Sequence, residues 1–491
     1  MINNLSLYQK GILLSFLMCI CSILALNFTS VPWTDEIGTA DTAINFVLYG
    51  RWNSDVWVYM YQPLHALLLI CWLKIWGISH VSVCAMNVII AFGATCLILK
   101  ELLKRNLLTN FLSVAIFVSL YWYFVPHSNG RIDMLTLLLT TGMVVNLVPF
   151  KGYTNYKKLG VYSFLLMASS IYSIPILLVG GVFLLLFYRR NRIERKILVR
   201  KFWVVFCVFS CTFLLVLVFF FIDHHPIKYL HQFISFNANA GKCNDSLIYR
   251  VLDAYKDIVP LILLAIGFFY ALLKKNRILL VSSIFVFFIP FLMVLAGRYQ
   301  LYYRWIFDVP VVAIFANVIN SLKLSKLKFI FILVIFLYPS QLLYAYIKPS
   351  KQVQLKIERE QFVLKNHKYF TPRMEVYALD GLFYYSLVKQ RVNINYEIRG
   401  MKNDDLPYVK FEKFINKNIQ DQNKRREYLS LFELMEDTSE KIMTNGIVLC
   451  SLNNNYGHVS YQDVLNFLSS QKIKFKVVAA KDDMRMIEFH K

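Results

Sequence analysis

Long segments without a charged residue restrict the fold of this chain more than any other feature. A helix that crosses the apolar core of a bilayer needs about 20 mostly apolar residues. The clearest uncharged runs are Gly11–Trp33, Val81–Leu99, Leu107–Gly130, Met134–Phe150, Phe202–Ile222, Ile258–Leu273, Ile278–Gly297 and Phe329–Ile347. Hydrophobic residues make up 57% of the chain, which is not typical of a soluble domain. The pattern therefore predicts a polytopic α-helical membrane protein.

Further crossings follow from two less regular segments. Leu159–Tyr188 is too long for one span, and a tight turn at 173–175 divides it into two short ones. Ile306–Ser321 carries Asp308 but is otherwise apolar, and we expect it to cross as well. The first run, Gly11–Trp33, is long and has no A-x-A cleavage site, so it is interpreted as an uncleaved span rather than a signal peptide. The total is about 11 transmembrane helices.

The distribution of Lys and Arg predicts the orientation. The net charge of +23 lies in short clusters between apolar runs, which is typical of membrane topology rather than of nucleic-acid binding. With a cytoplasmic N-terminus and a non-crossing Pro63–Ile78, the inner segments hold 20 basic residues and the outer loops hold nine. Lys74 also argues against burying Pro63–Ile78 in lipid. We therefore expect this segment to lie along the outer surface of the plasma (inner) membrane.

Tryptophans support this arrangement. Seven of the eight map to the outer interface and Trp203 maps to the inner one. Tryptophan favours the headgroup level, where its ring is buried and its N–H stays hydrated. The first outer loop, residues 32–80, is therefore predicted to rest on the membrane.

The composition changes after Ile347, where the chain becomes polar and charged. The sequence predicts a transmembrane domain over 1–348 and a small extracytoplasmic α/β domain over 349–491. Its predicted strands are Met374–Leu379, Val392–Tyr396, Gly446–Cys450, Phe475–Ala480 and Met484–Phe489, and its predicted helices are Asp421–Met435 and Tyr461–Gln471. Asp380-Gly381 is interpreted as a strand-to-helix turn. A disulfide between Cys243 and Cys450 is left open as a minor alternative.

Acidic residues at the outer ends of spans are the main candidates for chemistry. Asp35 and Glu36 follow the first span and are expected to open a helix, with Thr34 as the N-cap. Asp133 begins a later span after the outer turn 127–131. Acids are favourable in the first turn of any helix, so a purely structural role is about as well supported by these residues alone.

Several short motifs follow the same order along the outer side. Asp35-Glu36 is followed by Tyr49-Gly50-Arg51-Trp52, Gln62-Pro63-Leu64, Ile75-Trp76-Gly77, the segment 131–135 and the cluster from Arg298 to Arg304. Together they resemble the GT-C fold glycosyltransferases, in the branch of protein mannosyltransferases and aminoarabinose transferases. The resemblance covers roughly residues 10–320. It implies that a sugar is transferred from a polyprenyl-phosphate carrier, with Asp35 as the catalytic carboxylate and Glu36 and Asp133 in support.

The resemblance also has departures. Many relatives carry Lys or His before the Pro of the interfacial helix, where this chain has Gln62, and the turn at 172–175 lacks their Lys. The leaving phosphate needs cations, and Arg131, Arg298 and Arg304 are the outer candidates, although snorkelling at the interface explains each of them equally well. Gln62, His65, His127 and Tyr302 complete the predicted substrate-binding set, and local packing is an equal alternative for the two histidines.

No cofactor is firmly predicted. A divalent metal is one option, because Asp223, His224, His225 and His231 lie in one outer loop, although an exposed metal-free loop is favoured. The sequence thus predicts an inverting hexosyl- or pentosyltransferase of the cell envelope with a lipid, polysaccharide or protein acceptor. A transporter or flippase is an alternative, but it needs charges at mid-membrane depth that these spans largely lack. A non-catalytic subunit for assembly of envelope polysaccharide is the second alternative.

Overall fold

A computed structural model describes most of the helical segments and the C-terminal sheet. The described residues are 34–52, 63–102, 133–146, 156–169, 258–295, 305–321, 351–395, 445–452 and 461–490, with scattered positions at 9–24, 248–255 and 422. The α-helices are α1 (Thr34–Tyr49), α2 (Pro63–Trp76), α3 (His80–Leu102), α4 (Asp133–Val145), α5 (Tyr156–Ser169), α6 (Ile258–Leu273), α7 (Arg277–Leu295), α8 (Trp305–Ser321), α9 (Lys351–Lys365), α10 (Tyr384–Lys389) and α11 (Tyr461–Ser470).

Apolar helices occupy the part of the chain where the uncharged runs lie. In the described part of the chain, α3 contains an 18-residue stretch, His80–Leu97, that is long and apolar enough to cross a membrane. Shorter apolar stretches make up most of α2, α4, α6, α7 and α8. Predicted spans thus coincide with α3, α4, α6, α7 and α8, whereas the runs 107–130, 202–222 and 329–347 lie outside the described residues.

The predicted spans share one apolar core. Buried residues of α3, α4, α5, α6, α7 and α8 form a continuous cluster, to which Cys19 of the first run also belongs. Gly142 of α4 lies against the ring of Tyr162 on α5, so closely that an added Cβ would overlap that ring. Small residues allow this approach between membrane helices. Ser and Asn side chains within the helices bond to backbone carbonyls one turn earlier, as Ser283 does to Leu279 and Asn146 to Gly142.

The predicted first outer loop contains two helices, α1 and α2, which pack against each other. Each ends at a glycine of the sequence motifs. Gly50 and Gly77 have positive φ values of 68° and 78°, and their N–H groups donate to Phe46 and Leu73 at 3.0 and 2.9 Å. Glycine adopts this left-handed conformation without a Cβ penalty, so both helices stop where the motifs place a glycine.

The C-terminal region contains a five-stranded mixed sheet. Its strands are β1 (Glu375–Ala378), β2 (Asn393–Asn395), β3 (Asn445–Ser451), β4 (Lys474–Lys481) and β5 (Met484–His490), and their order is β2-β1-β3-β5-β4. β1 is parallel to β2 and β3, whereas β5 is antiparallel to β3 and β4. All five predicted strands and the helix α11 are present, while 421–435 lies outside the described residues except for position 422.

Alternation along the strands produces two apolar layers. Val376 and Ile447 face the layer that contains Phe362 of α9, and Tyr377 and Val448 face the layer that contains Val464 of α11. Because β3 is covered on both sides, its residues Ile447–Cys450 are at most 1% exposed. Cys450 is a free, buried thiol, so the structure does not support the disulfide to Cys243.

A buried arginine joins α9 to the ends of the sheet. Arg359 is 1% exposed and bonds to Asp380 at 3.2 Å and to Asp483 at 2.7 Å. Asp380 also accepts a hydrogen bond from the N–H of Leu382 at 2.9 Å, which opens the short 3-10 helix Gly381–Phe383 between β1 and α10. The predicted role of Asp380-Gly381 as a strand-to-helix turn is confirmed.

Candidate functional site

Helix α1 carries the first acidic motif in its first turn. It begins at Thr34, so Asp35 and Glu36 are its second and third residues, as the sequence predicted. The side chains of these two acids are outside the described part of the structure. The positive end of the helix dipole lies at this turn, where acidic residues are favourable.

The body of α1 is almost completely enclosed. Residues 37–44 are all buried, including Thr39, Asp41 and Thr42. Ile37, Ala40 and Ile44 belong to a cluster with Leu69 and Leu73 of α2 and with residues of α3 and α10. We call this the first-loop cluster. A helix fixed on several sides holds its first turn in a defined position, which suits a group that has to meet a substrate.

Asp133 occupies an equivalent place on another helix, because α4 begins at this residue. The next residues, Met134 and Leu135, are buried in the core of the predicted spans, and Leu64 and Trp72 of α2 pack against the same core. The side chain of Asp133 is not among the described ones. The convergence of Asp35 and Asp133 in one pocket therefore stays a prediction.

His65 is the candidate whose side chain the structure describes. It lies on the buried face of α2 and is 1% exposed, and its Nε2 atom has no hydrogen-bond partner among the described residues. Burial lowers the pKa of His65 to about 4. The imidazole is consequently neutral at pH 7, so His65 carries no positive charge.

Other predicted site residues lie outside the described ranges. Gln62 immediately precedes α2, and the rest of this group is His127, Arg131, Arg298, Tyr302 and Arg304. The candidate metal loop at 223–231 is outside as well. Within the residues that the structure describes, no group of three or more His, Cys, Asp or Glu residues could hold a metal ion.

A set of polar contacts between α1, α3 and the C-terminal region was not predicted. The hydroxyl of Tyr384 donates to Oδ1 of Asp41 at 2.9 Å, and both residues are buried. Tyr49 donates to the carbonyl of Val392 at 3.3 Å. These partners are 343 residues apart in each case, and no local pattern in a single sequence identifies pairs at that separation.

A second buried contact lies at the start of α3. Nζ of Lys356 on α9 lies 3.3 Å from Nδ1 of His80, and Nε2 of His80 lies 3.3 Å from Sγ of Cys84. The ring of His80 also packs against Tyr385 with the centroids 5.2 Å apart. Lys356 and His80 are 6% and 3% exposed. The start of α3, a predicted span, is thus in contact with both α9 and α10.

Comparison with known proteins shows similarity in structure but not in sequence. No protein-family model matches the chain, and no curated protein matches it. The crystal structure of ArnT from Cupriavidus metallidurans bound to undecaprenyl phosphate is similar over 97% of each chain, with a TM-score of 0.62 at 13% identity. The apo structure of the same ArnT is similar over 98% of each chain, with a TM-score of 0.55 at 11% identity.

At this level of identity the likeness shows the fold. The chain has the GT-C fold of these ArnT structures, and the resemblance to the aminoarabinose transferase branch is confirmed at that level. The fold is that of a polytopic membrane protein, mostly helical, with a sheet near the C-terminus. The number of crossings stays a prediction.

Proposed function

We propose that this chain is a membrane glycosyltransferase that moves a sugar from a polyprenyl-phosphate carrier to an acceptor on the outer face of the plasma membrane. The observation that carries the proposal is the likeness over 97% of the chain to ArnT bound to undecaprenyl phosphate. The position of Asp35 in the first turn of an enclosed outer-loop helix supports it. The sugar is a hexose or a pentose, and the acceptor is a lipid, a polysaccharide or a protein.

Asp35 is assigned the role of general base. Attack at the anomeric carbon passes through a state with oxocarbenium character, and the acceptor hydroxyl has to lose its proton as it attacks. A carboxylate at this point removes that proton, while Glu36 and Asp133 hold the acceptor and the sugar. Direct displacement by the acceptor inverts the configuration of the sugar.

The leaving group needs positive charge more than an acid, because it departs as a phosphate. Arg131, Arg298 and Arg304 are assigned to this phosphate, since a guanidinium can hold two phosphate oxygens at once. Tyr302, together with Gln62, His65 and His127, would supply neutral hydrogen bonds. A divalent metal at the phosphate is a second option for the same charge.

Asp35→Asn tests the assignment, because it keeps the size and shape of the side chain but removes the base. Transfer of labelled sugar from a polyprenyl-phosphate donor in membranes should fall by about 100-fold or more. Asp463→Asn is the matched control, because Asp463 also lies in the first turn of an α-helix, α11, and is exposed. The control should keep full transfer.

Each rival function predicts a different result. If both variants transfer sugar at the wild-type rate, Asp35 is simply a favourable acid at a helix start. Uptake of a labelled solute into proteoliposomes without sugar transfer would favour a transporter or flippase. Full pathway activity and intact complex formation with Asp35→Asn would favour a non-catalytic assembly subunit.

A further inference from the structure

The C-terminal region contacts α1 along the length of this helix. At the start of α1, Cδ1 of Ile37 lies 3.0 Å from where a Cβ on Gly381 would be. In the middle, Asp41 accepts the hydrogen bond from Tyr384, and at the end Tyr49 donates to the carbonyl of Val392. These three contacts follow the helix from its first turn to its last.

Apolar packing joins the same elements. Tyr384, Tyr385 and Val388 of α10 belong to the first-loop cluster, and Tyr384 is 1% exposed. The sheet has two apolar clusters of its own. One contains Phe383 and Leu387, and the other contains Val448. α10 therefore presents one side to the sheet and the other to the first outer loop.

The hydrogen bond between Tyr384 and Asp41 is chemically specific within this packing. Asp41 is 5% exposed, and its second oxygen lies 3.3 Å from Nδ2 of Asn45, one turn further along α1. A buried carboxylate depends on its donors because it has lost its hydration. Tyr384 supplies a donor from outside the helix, so its hydroxyl defines where this turn of α1 lies relative to the sheet.

We infer that the C-terminal region positions the catalytic helix, with Tyr384 as a positioning residue that acts through Asp41. This inference rests on the proposed function, because it assumes that Asp35 carries the chemistry. Asp41 is six residues after Asp35 on one continuous helix. A shift at Asp41 is therefore transmitted to the first turn, and small displacements of a catalytic group are costly in rate.

Tyr384→Phe tests the inference because it removes the hydroxyl and leaves the ring in the first-loop cluster. We expect kcat for sugar transfer to fall about tenfold while KM for the carrier changes less than twofold, since the donor-binding residues are untouched. Tyr377→Phe is the matched control. Tyr377 is buried in β1 against Phe489, in the cluster that faces α11, and its variant should keep the wild-type kcat.

Hydrogen exchange on the full-length chain in detergent separates positioning from general stability. In Tyr384→Phe, the amides of Thr34–Tyr49 should exchange about tenfold faster, whereas those of β3 and β5 should keep their protection. Faster exchange throughout the sheet would mean that Tyr384 stabilises the C-terminal region in general, which would contradict the positioning role. Unchanged exchange in α1 together with an unchanged kcat would overturn the inference.

Asp41→Asn completes a double-mutant cycle. If Tyr384 acts through Asp41, the double variant should lose no more activity than the more severe single variant, and independent losses would contradict the coupling. The exchange measurement does not depend on sugar transfer. A wild-type protein without transferase activity would refute the proposed function. The exchange of α1 in Tyr384→Phe would still show whether Tyr384 holds this helix in place.

Discussion

Arg359 is the least exposed of the described charged residues in the C-terminal region. Its guanidinium is buried and bonds to the carboxylates of Asp380 and Asp483, and Ser451 lies 3.4 Å from it. Asp380 follows β1 and Ser451 ends β3, so one side chain from α9 ties together the ends of two parallel strands. Sequence alone predicted the turn at Asp380, because Asp-Gly is a local signal. It did not predict the arginine, because its partners are distant.

Arg359→Met should open the C-terminal region. The change removes the cation but leaves the buried carboxylate of Asp380 unpaired, which costs about 3–5 kcal/mol. Cys450 reports the opening, because it is fully buried and burial raises the pKa of Cys450 to about 12, so the closed form is inert to thiol reagents. Labelling of the Cys450 peptide, followed by mass spectrometry at pH 8, should become at least about 100-fold faster.

Exposed Cys71 in the same sample provides the reference for that measurement. Its labelling rate should be equal in the variant and the wild type. An unchanged Cys450 rate would mean that Arg359 contributes little to the stability of this region.

The Arg359–Asp483 pair should also make stability depend on pH in the acid range. Partial burial alone raises the pKa of Asp483, but hydrogen bonds from Arg359 and Ser451 outweigh burial and hold the pKa below its ordinary value. The unfolded chain, with a pKa of about 3.9 at this residue, then binds the proton more readily. The free energy of unfolding should therefore fall as the pH drops from about 4 through the lowered pKa.

Asp483→Asn isolates this effect. Burial raises the pKa of Asp380, a shift of opposite sign that is present in both proteins. Labelling of Cys450 with a disulfide reagent active in acid should accelerate below about pH 4 in the wild type. In the variant it should show a flatter pH profile, and identical profiles would contradict the assignment.

At the level of elements, the sequence was informative wherever one face of an element is apolar. Short runs of strand-forming residues between turn residues predicted every described strand, and each side of the sheet is covered by its own helix. Uncharged runs predicted α3, α4, α6 and α7, and an apolar run with the single charge of Asp308 predicted α8. Contacts between elements were not predicted, because the pairing of helix faces depends on side-chain shape across distant segments.

Gly142→Ala should separate α4 from α5. The added Cβ would overlap the ring of Tyr162, and overpacking of this kind costs about 1–3 kcal/mol. The midpoint of thermal unfolding in detergent should fall by several degrees. Gly160→Ala is the matched control on α5, because an added Cβ at Gly160 meets no atom within 4 Å. Tyr162→Ala in the same chain should recover part of the loss by making room for the methyl group.

At the scale of the whole molecule, orientation is the most direct sequence prediction left to test. Lys274 lies in the turn between α6 and α7, predicted to be inside, and Gln471 follows α11, predicted to be outside. A membrane-impermeant maleimide added to intact cells should label Gln471→Cys. It should label Lys274→Cys only after the cells are lysed. The labelled peptides identify the sites. The reverse pattern would mean that the topology is the opposite of the predicted one. Labelling of both cysteines in intact cells would contradict the predicted number of crossings between them.

For the candidate site, the sequence indicated residue types and their order along the chain, but not the contacts between them. Asp35 and Asp133 were identified because both begin helices on the predicted outer side, and the helix starts are present in the structure. Asp41 was missed, although it lies on the same helix, because nothing near it in the chain indicates the tyrosine that binds it. Residue order indicated the chemistry, whereas the support around it depends on contacts between distant parts of the chain.

The shared packing of α1 with α10 bears on the order in which the protein is made. The ribosome synthesises Asp41 long before Tyr384, which is 343 residues later, and the apolar surface of Ile37 and Ala40 is completed by the later segment. Domains generally fold as they emerge, N-terminal parts first. Part of the apolar surface of α1 therefore stays uncovered until α10 has been synthesised, so the packing of this early helix is completed late.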